Sequence, residues 1–293
     1  LSNSVFSQEG TPLITNFSFG ESSIDNESWA LAQDFDGQML FANRRGIVTF
    51  DGIKWNTIIT PSVPLSLYFD PISATVFVGC KNNIGFLHKE DNGVYKYVSL
   101  TTKGNVGEVK QIASINQDIY FYSVAGITRF NTESKDLKKW PAAAGEPYTG
   151  FIINNGKVYV NIDKLGLHLL TDNLKNPIKE GDQFSEHKIL FYFRYNRAQI
   201  LFGADNDSLY LFNGNHLATY SFESNDFIKE NILTGGIYVD KNSFVLSTVT
   251  GGCLIIDKTS KKSTYTLNYQ TGLPDDEVYS MGIDKTSKKP TYI

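Results

Sequence analysis

The sequence predicts an all-β chain folded as a seven-bladed β-propeller of four-stranded antiparallel blades, the last blade closed by amino-terminal strands. Three observations predict it. A pattern of apolar strand, Asp or Asn turn, second apolar strand and small residue recurs six times. Its anchors, Gly46, Gly85, Gly126, Gly166, Asp207 and Gly252, stand about forty residues apart, the length of one four-stranded blade. No window sustains apolar residues at helical spacing between caps.

The first copy shows the elements in order. Trp29-Ala30-Leu31-Ala32-Gln33-Asp34 leads to a turn at Phe35-Asp36-Gly37, then Met39-Leu40-Phe41-Ala42, a short loop, and Gly46-Ile47-Val48-Thr49-Phe50. The first turns fall at Asp34, Asp70, Asn116, Asn154, Asn196 and Asp240, whose side chains bond nearby backbone and tolerate tight turns. Second strands such as Val76-Phe77-Val78-Gly79 and Ile119-Tyr120-Phe121-Tyr122 are apolar on both faces, as expected of a strand covered above and below by neighbouring blades. Ala142-Ala143-Ala144, bracketed by Pro141 and Gly145, reads as a loop. The repeats span 28–60, 65–100, 108–141, 149–180, 188–223 and 235–270, in a single domain over 1–293.

Closure is expected from the two ends. After Gly272-Leu273-Pro274 the chain offers Glu277-Val278-Tyr279-Ser280-Met281-Gly282-Ile283-Asp284 and Thr291-Tyr292-Ile293, too few strands for a blade. Val5-Phe6-Ser7 and Leu13-Ile14-Thr15-Asn16-Phe17 supply the missing ones, so the expected seventh blade combines 3–19 with 277–293 and leaves no free edge. At 293 residues the chain exceeds a single core, but a propeller buries one interface per blade pair.

Composition excludes several classes. Lys and Arg total 27 against 31 Asp and Glu, a net charge of −4, so no basic stripe is available to displace phosphate counterions and no nucleic-acid partner is expected. Lys138-Lys139, Lys261-Lys262 and Lys288-Lys289 read as solvated turn residues. No apolar run reaches the roughly twenty residues of a membrane span, so this chain is not expected to insert directly into a membrane. Without a start methionine or signal-like segment, it is expected to be a processed portion of a longer protein. Cys80 and Cys253 lie in the second and sixth repeats, too far apart for an expected disulfide, and read as small buried hydrophobes.

The run Gln33-Asp34-Phe35-Asp36-Gly37-Gln38-Met39-Leu40-Phe41-Ala42-Asn43, with Gly46-Ile47-Val48, Phe50-Asp51-Gly52 and Trp55 beyond, resembles the repeat of the two-component regulator propellers. These propellers occur in the extracytoplasmic sensor regions of hybrid two-component systems and related one-chain transcription regulators. The leader Gly10-Thr11-Pro12-Leu13-Ile14-Thr15-Asn16-Phe17 and the phrase Gly272-Leu273-Pro274-Asp275-Asp276-Glu277-Val278-Tyr279 are similar to the same family, so the resemblance covers essentially the whole chain. The chain departs from the pattern at Leu40 and Tyr120, where the family often has Trp, and at Asp207, where Gly is usual. The resemblance implies further blades, an immunoglobulin-like domain, a membrane span, and a cytoplasmic histidine kinase or DNA-binding output. It also implies a periplasmic address, glycan fragments as ligands, and signalling by dimer rearrangement without bond chemistry. The implied partners are an oligosaccharide, neighbouring domains of the same sensor, and a second copy in the full-length protein.

A search for catalytic patterns yields little. His88, His168, His187 and His216 are dispersed among repeats, without the close spacing of a zinc site. Asp205-Asn206-Asp207 begins like a calcium loop, but Leu209 and the missing downstream Gly and Glu make it a tight turn. No cofactor, no metal and no catalytic residue is expected. Glu108, Asp163, Asp205 and Glu277 keep a glycan-active hydrolase or lyase open as an alternative, alongside a protein-interaction scaffold.

A ligand is expected on the face where second-to-third-strand loops meet loops entering each blade, because loops on rigid strands are the usual recognition positions. The candidate ligand-binding residues are Arg44, Arg45, Asn82, Asn83, Lys164 and Asp205, a mixture able to hydrogen-bond sugar hydroxyls or an anionic glycan. Asn, Asp and Lys also populate turns for conformational reasons alone, and the paired guanidiniums of Arg44 and Arg45 exceed what a turn needs. Trp29 and Trp55 are candidates for stacking on sugars, or for packing between blades.

Overall fold

The computed structural model describes residues 14, 16, 27–50, 54–101, 106–172, 176–284 and 289–292. Six four-stranded antiparallel sheets follow one another, each a simple meander. Blade 1 comprises Ser28–Gln33, Met39–Asn43, Gly46–Phe50 and Trp55–Ile58. Blade 2 comprises Pro64–Asp70, Thr75–Cys80, Asn83–Lys89 and Tyr95–Ser99. Blade 3 comprises Val109–Ile115, Asp118–Ser123, Gly126–Asn131 and Leu137–Pro141. Blade 4 comprises Tyr148–Asn154, Lys157–Ile162, Gly166–Leu169 and Asn176–Pro177. Blade 5 comprises Ile189–Arg194, Ile200–Ala204, Ser208–Phe212 and Leu217–Tyr220. Blade 6 comprises Leu233–Tyr238, Ser243–Thr248, Cys253–Asp257 and Lys262–Leu267.

The expected seven four-stranded blades are corrected to six. Between the sixth and the first stands a two-stranded sheet of Met281–Asp284 and Lys289–Tyr292. The reason is a shortage of strands: the two pair with each other, from Met281 opposite Tyr292 to Asp284 opposite Lys289, and no other described strand joins them. The donor strands expected in 3–19 lie outside the described residues, apart from Ile14 and Asn16. Asn16 Nδ2 donates to the Gly272 carbonyl at 3.3 Å, and Ile14 packs against the cluster containing Leu273 and Val278.

Apolar burial is divided among the blade interfaces rather than gathered in one core. One cluster joins Leu40, Ile47 and Ile58 of blade 1 to Val76, Val78 and Leu87 of blade 2. Equivalent clusters join each later pair of blades, and Val245, Cys253 and Leu267 of blade 6 pack on Leu273 and Val278 of the closing segment. Second strands therefore carry the most buried runs, as in Ile200–Ala204, buried at every position.

Hydrogen bonds run from blade to blade around the ring. Trp29 Nε1 donates to Pro64 O at 2.6 Å, Ser66 Oγ to Val109 O at 2.8 Å, and Tyr122 OH to Tyr148 O at 3.0 Å. Asn161 Nδ2 donates to His187 O at 2.7 Å, the Leu233 amide to Asp207 Oδ1 at 2.8 Å, and Thr234 Oγ1 to Val278 O at 2.7 Å. Gln33 Nε2 then donates to Asp284 Oδ1 at 2.8 Å, which joins the closing sheet to blade 1.

The repeat anchors mark a close approach between strands. Gly166 and Gly252 have φ of +83° and +73°, and a Cβ there would lie 2.2 Å from Gly181 O and 2.0 Å from Leu267 O. Asp207 adopts the same left-handed backbone, at φ 54°, and puts its carboxylate to use on the next blade, which explains why Gly is dispensable in the fifth repeat. In blade 2 the positive φ falls on Asn82, at 63°, rather than on Gly85. An α-helix, Asn225–Asn231, fills the connection between blades 5 and 6. Its seven residues bury only Ile228, so it leaves no periodic apolar stripe for the sequence to show.

Candidate functional site

The first strands of all six blades, with Ser280 and Met281, enclose a central channel of about 790 Å³. Each of these strands carries a β-bulge near its start. The pairing with the second strand skips Trp29, Leu65, Lys110, Thr149, Leu190 and Thr234 in turn. A bulge re-aims a side chain without breaking the sheet. Five of the six bulged residues line the channel; in blade 6 the Thr234 hydroxyl instead bonds Ser247 Oγ and Val278 O.

First strands begin on the face that carries the second-to-third-strand turns. Asp163, in the turn after Lys157–Ile162, and Lys188, immediately before Ile189–Arg194, both line the channel at this mouth. Lys110 and Lys188 are exposed, whereas Trp29 and Leu65 are half-buried. Burial holds the phenols of the channel-lining Tyr122 and Tyr192 above their ordinary value, so both stay neutral through the physiological range. Tyr148 is pushed up to about 12, by burial first and by the nearby Glu146 carboxylate second.

Five of the six candidate residues lie on second-to-third-strand turns of this face, in blades 1, 2, 4 and 5, and the sixth, Asn83, opens the third strand of blade 2. Arg44 and Arg45 are exposed, and the Arg45 amide donates to Asn43 Oδ1 at 3.3 Å. Asn82 gives its amide to Gly107 O at 2.8 Å, and Asn83 Oδ1 accepts from Tyr97 OH at 2.7 Å and Ser99 Oγ at 3.0 Å. Lys164 has φ of 65°, and its amide donates to Ser185 O at 2.7 Å. Asp205 Oδ1 accepts from the Lys188 amide at 2.9 Å and sits 3.3 Å from His187 Nδ1. Lys164 and Asp205 thus converge on the 185–188 entry loop. None of the six lines the channel, which lies inside the ring they occupy.

The other carboxylates of interest are dispersed. Glu108 pairs with Lys81 at 3.5 Å, Glu277 accepts from Tyr279 OH, and Asp163 reaches the channel. Among the described residues, no group of three or more His, Cys, Asp and Glu is placed to hold a metal ion. Trp55 stacks on Phe50 with ring centroids 4.3 Å apart, whereas Trp29 faces the channel. Cys80 and Cys253 are buried free thiols.

Sequence reasoning missed the channel positions Lys110, Lys188, Leu65 and Leu190. The only signal was positional, since the bulged residue follows the buried residue that opens the inner strand in all six blades.

The fold is similar to the extracellular domain of BT3049 from B. thetaiotaomicron, described as a hybrid two component system. The TM-score is 0.69 at 14% identity, over 92% of this chain and 39% of that one. It is similar also to the extracellular domain of BT4673, a protein of the same description from the same organism, with TM-score 0.69 and 12% identity over 93% of this chain and 37% of that one. The WD40 β-propeller domain of Doa1 matches with TM-score 0.65 and 11% identity, over 89% of this chain and 88% of that domain. The chain therefore spans well under half the length of the first two. No family model and no curated protein sequence matches it. Among the described residues, no helix is long and apolar enough to cross a membrane.

Proposed function

We propose that this chain is a ligand-recognition propeller in the extracytoplasmic sensor region of a two-component signal-transduction protein, that it reads glycan fragments, and that it performs no bond chemistry. The observation that carries the reading is the channel mouth: a concave opening ringed by polar turns on a rigid closed scaffold, the arrangement that favours recognition. The likeness to two extracellular domains of hybrid two-component systems supports the sensor assignment and the extracytoplasmic address. Because this chain matches only 39% and 37% of those domains, adjoining domains of the same protein are part of the proposal, as is a second copy in the signalling state.

In this reading Arg44, Arg45 and Lys164 present charged donors around the rim. Asn82, Asn83 and Asp205 hold the turns that carry the rim, through the bonds already described, and offer their remaining polar atoms to sugar hydroxyls. The test is calorimetry on the intact extracytoplasmic region with a panel of oligosaccharides, with parallel chromatography of the sugars. Saturable binding with unchanged sugars supports the reading. New reducing ends or unsaturated products would establish a glycan-active enzyme, and binding only to another protein domain would establish a scaffold.

A further inference from the structure

The bulge ring gives the channel mouth an uneven chemistry. Lys110 is the only charged residue among the six bulged positions, and the others are Trp29, Leu65, Thr149, Leu190 and Thr234. Lys110 on blade 3 and Lys188 at the entry to blade 5 flank the mouth sector of blade 4, and both residues line the channel. Neither ammonium forms an ion pair with a described residue, although other lysines of the chain pair readily, as Lys81 does with Glu108 and Lys89 with Asp34. Among the described residues Asp163 is the one carboxylate lining the channel, so its lining carries two cations and one anion in a molecule whose net charge is −4. The lining also includes Trp29 of blade 1, held by its bond to Pro64 O, and Leu65 of blade 2, the blade next to that of Lys110.

We infer that the mouth of the central channel is an anion-binding site in which Lys110 and Lys188 together hold a carboxylate or sulfate group of the ligand, with Trp29 and Leu65 forming the apolar wall beside the attached sugar ring. This rests on the recognition reading and deepens it, because it places the acid group of the ligand in the channel, inside the rim, and specifies acidic saccharides. Two features argue for the channel over the rim. A concave mouth with low-dielectric walls strengthens the attraction between the ammonium groups and an entering anion. The bulge that aims Lys110 inward recurs in every blade, so the Lys110 side chain is presented by a rigid strand rather than by a loop. An indole lining the same channel as an anion site suits a pyranose ring, whose C–H face is apolar while its hydroxyls and acid group are polar.

The experiment is calorimetry on the intact protein with four probes: a uronic-acid oligosaccharide, a sulfated oligosaccharide, a neutral oligosaccharide of equal length, and inorganic sulfate. Each is titrated into the wild type, the Lys110→Ala/Lys188→Ala variant and the Arg44→Ala/Arg45→Ala variant. The expected result is binding of at least one acidic oligosaccharide, weakened roughly tenfold or more by loss of the two lysines and by raised salt, and weakened less by loss of the rim arginines. Which acidic probe binds tells carboxylate from sulfate. Both lysines are exposed, so thermal melting of the variants should match the wild type. Equal binding of acidic and neutral sugars, or unchanged affinity in the lysine variant, overturns the anion site while leaving glycan recognition standing. Sulfate binding that depends on the lysines, without binding of any sugar, supports the anion site and removes the saccharide. Failure of all four probes to bind overturns both.

Discussion

Gln33 Nε2 donates to Asp284 Oδ1 at 2.8 Å across 251 positions of sequence, and this bond ties the first blade to the closing two-stranded sheet. Gly282 brings the two surfaces together, since a Cβ there would lie 2.1 Å from Leu31 Cδ1. Among the described residues these contacts join the closing sheet to blade 1. A double-mutant cycle with Gln33→Ala and Asp284→Ala, read by urea denaturation, should give a coupling of about 1–2 kcal/mol. Strict additivity would show that the bond contributes nothing to closure.

Asp207 links blade 5 to blade 6 through the Leu233 amide. Asp207→Ala leaves that donor without its partner and should cost about 1–3 kcal/mol. Asp207→Asn keeps an accepting oxygen and a residue that tolerates positive φ, so it should cost less than half as much. Equal losses in the two variants would show that charge, not geometry, matters at this position.

The anchor glycines divide by their surroundings. Gly252→Ala should lower stability by more than about 2 kcal/mol, because the new methyl meets the Leu267 carbonyl as well as an unfavourable φ. Gly156→Ala, at φ +70° with open space around it, should cost only about 1 kcal/mol. Denaturation midpoints of the two variants decide the matter.

Alkaline pH should weaken the fold. Burial raises the Cys80 thiol from 9.0 to about 11 and the Cys253 thiol from 9.0 to about 12. The folded protein keeps these protons above pH 9, where the unfolded chain releases them, so the stabilisation present below pH 9 is lost as pH rises toward 11 and 12. The denaturation midpoint should fall across this window, and less steeply in the Cys80→Ala/Cys253→Ala variant. In native protein at pH 8, neither thiol should react with a thiol-specific reagent until the chain unfolds.

Much of the architecture is legible in the sequence because its determinants are local. Asp70, Asn196 and Asp240 each accept amides two or three residues ahead, which makes the first turn of a blade a short-range signal. Blade number is not local. It depends on which strands pair across the whole chain, and the two strands after Gly272 find only each other among the described residues. The candidate site divides in the same way. Turns carrying Arg44, Asn82, Lys164 and Asp205 can be read from their residue types, and the structure puts them on one face. The channel lining cannot, because Trp29, Leu65, Lys110, Thr149 and Leu190 share a backbone bulge and no side-chain chemistry.

The most direct measurement of the recognition claim is calorimetric titration of the whole extracytoplasmic region with acidic and neutral oligosaccharides, followed by analysis of the recovered sugars. The account predicts saturable binding, recovery of intact sugar, and loss of affinity when the channel mouth is altered. Cleavage of the sugar, or no heat of binding with any saccharide, would contradict it.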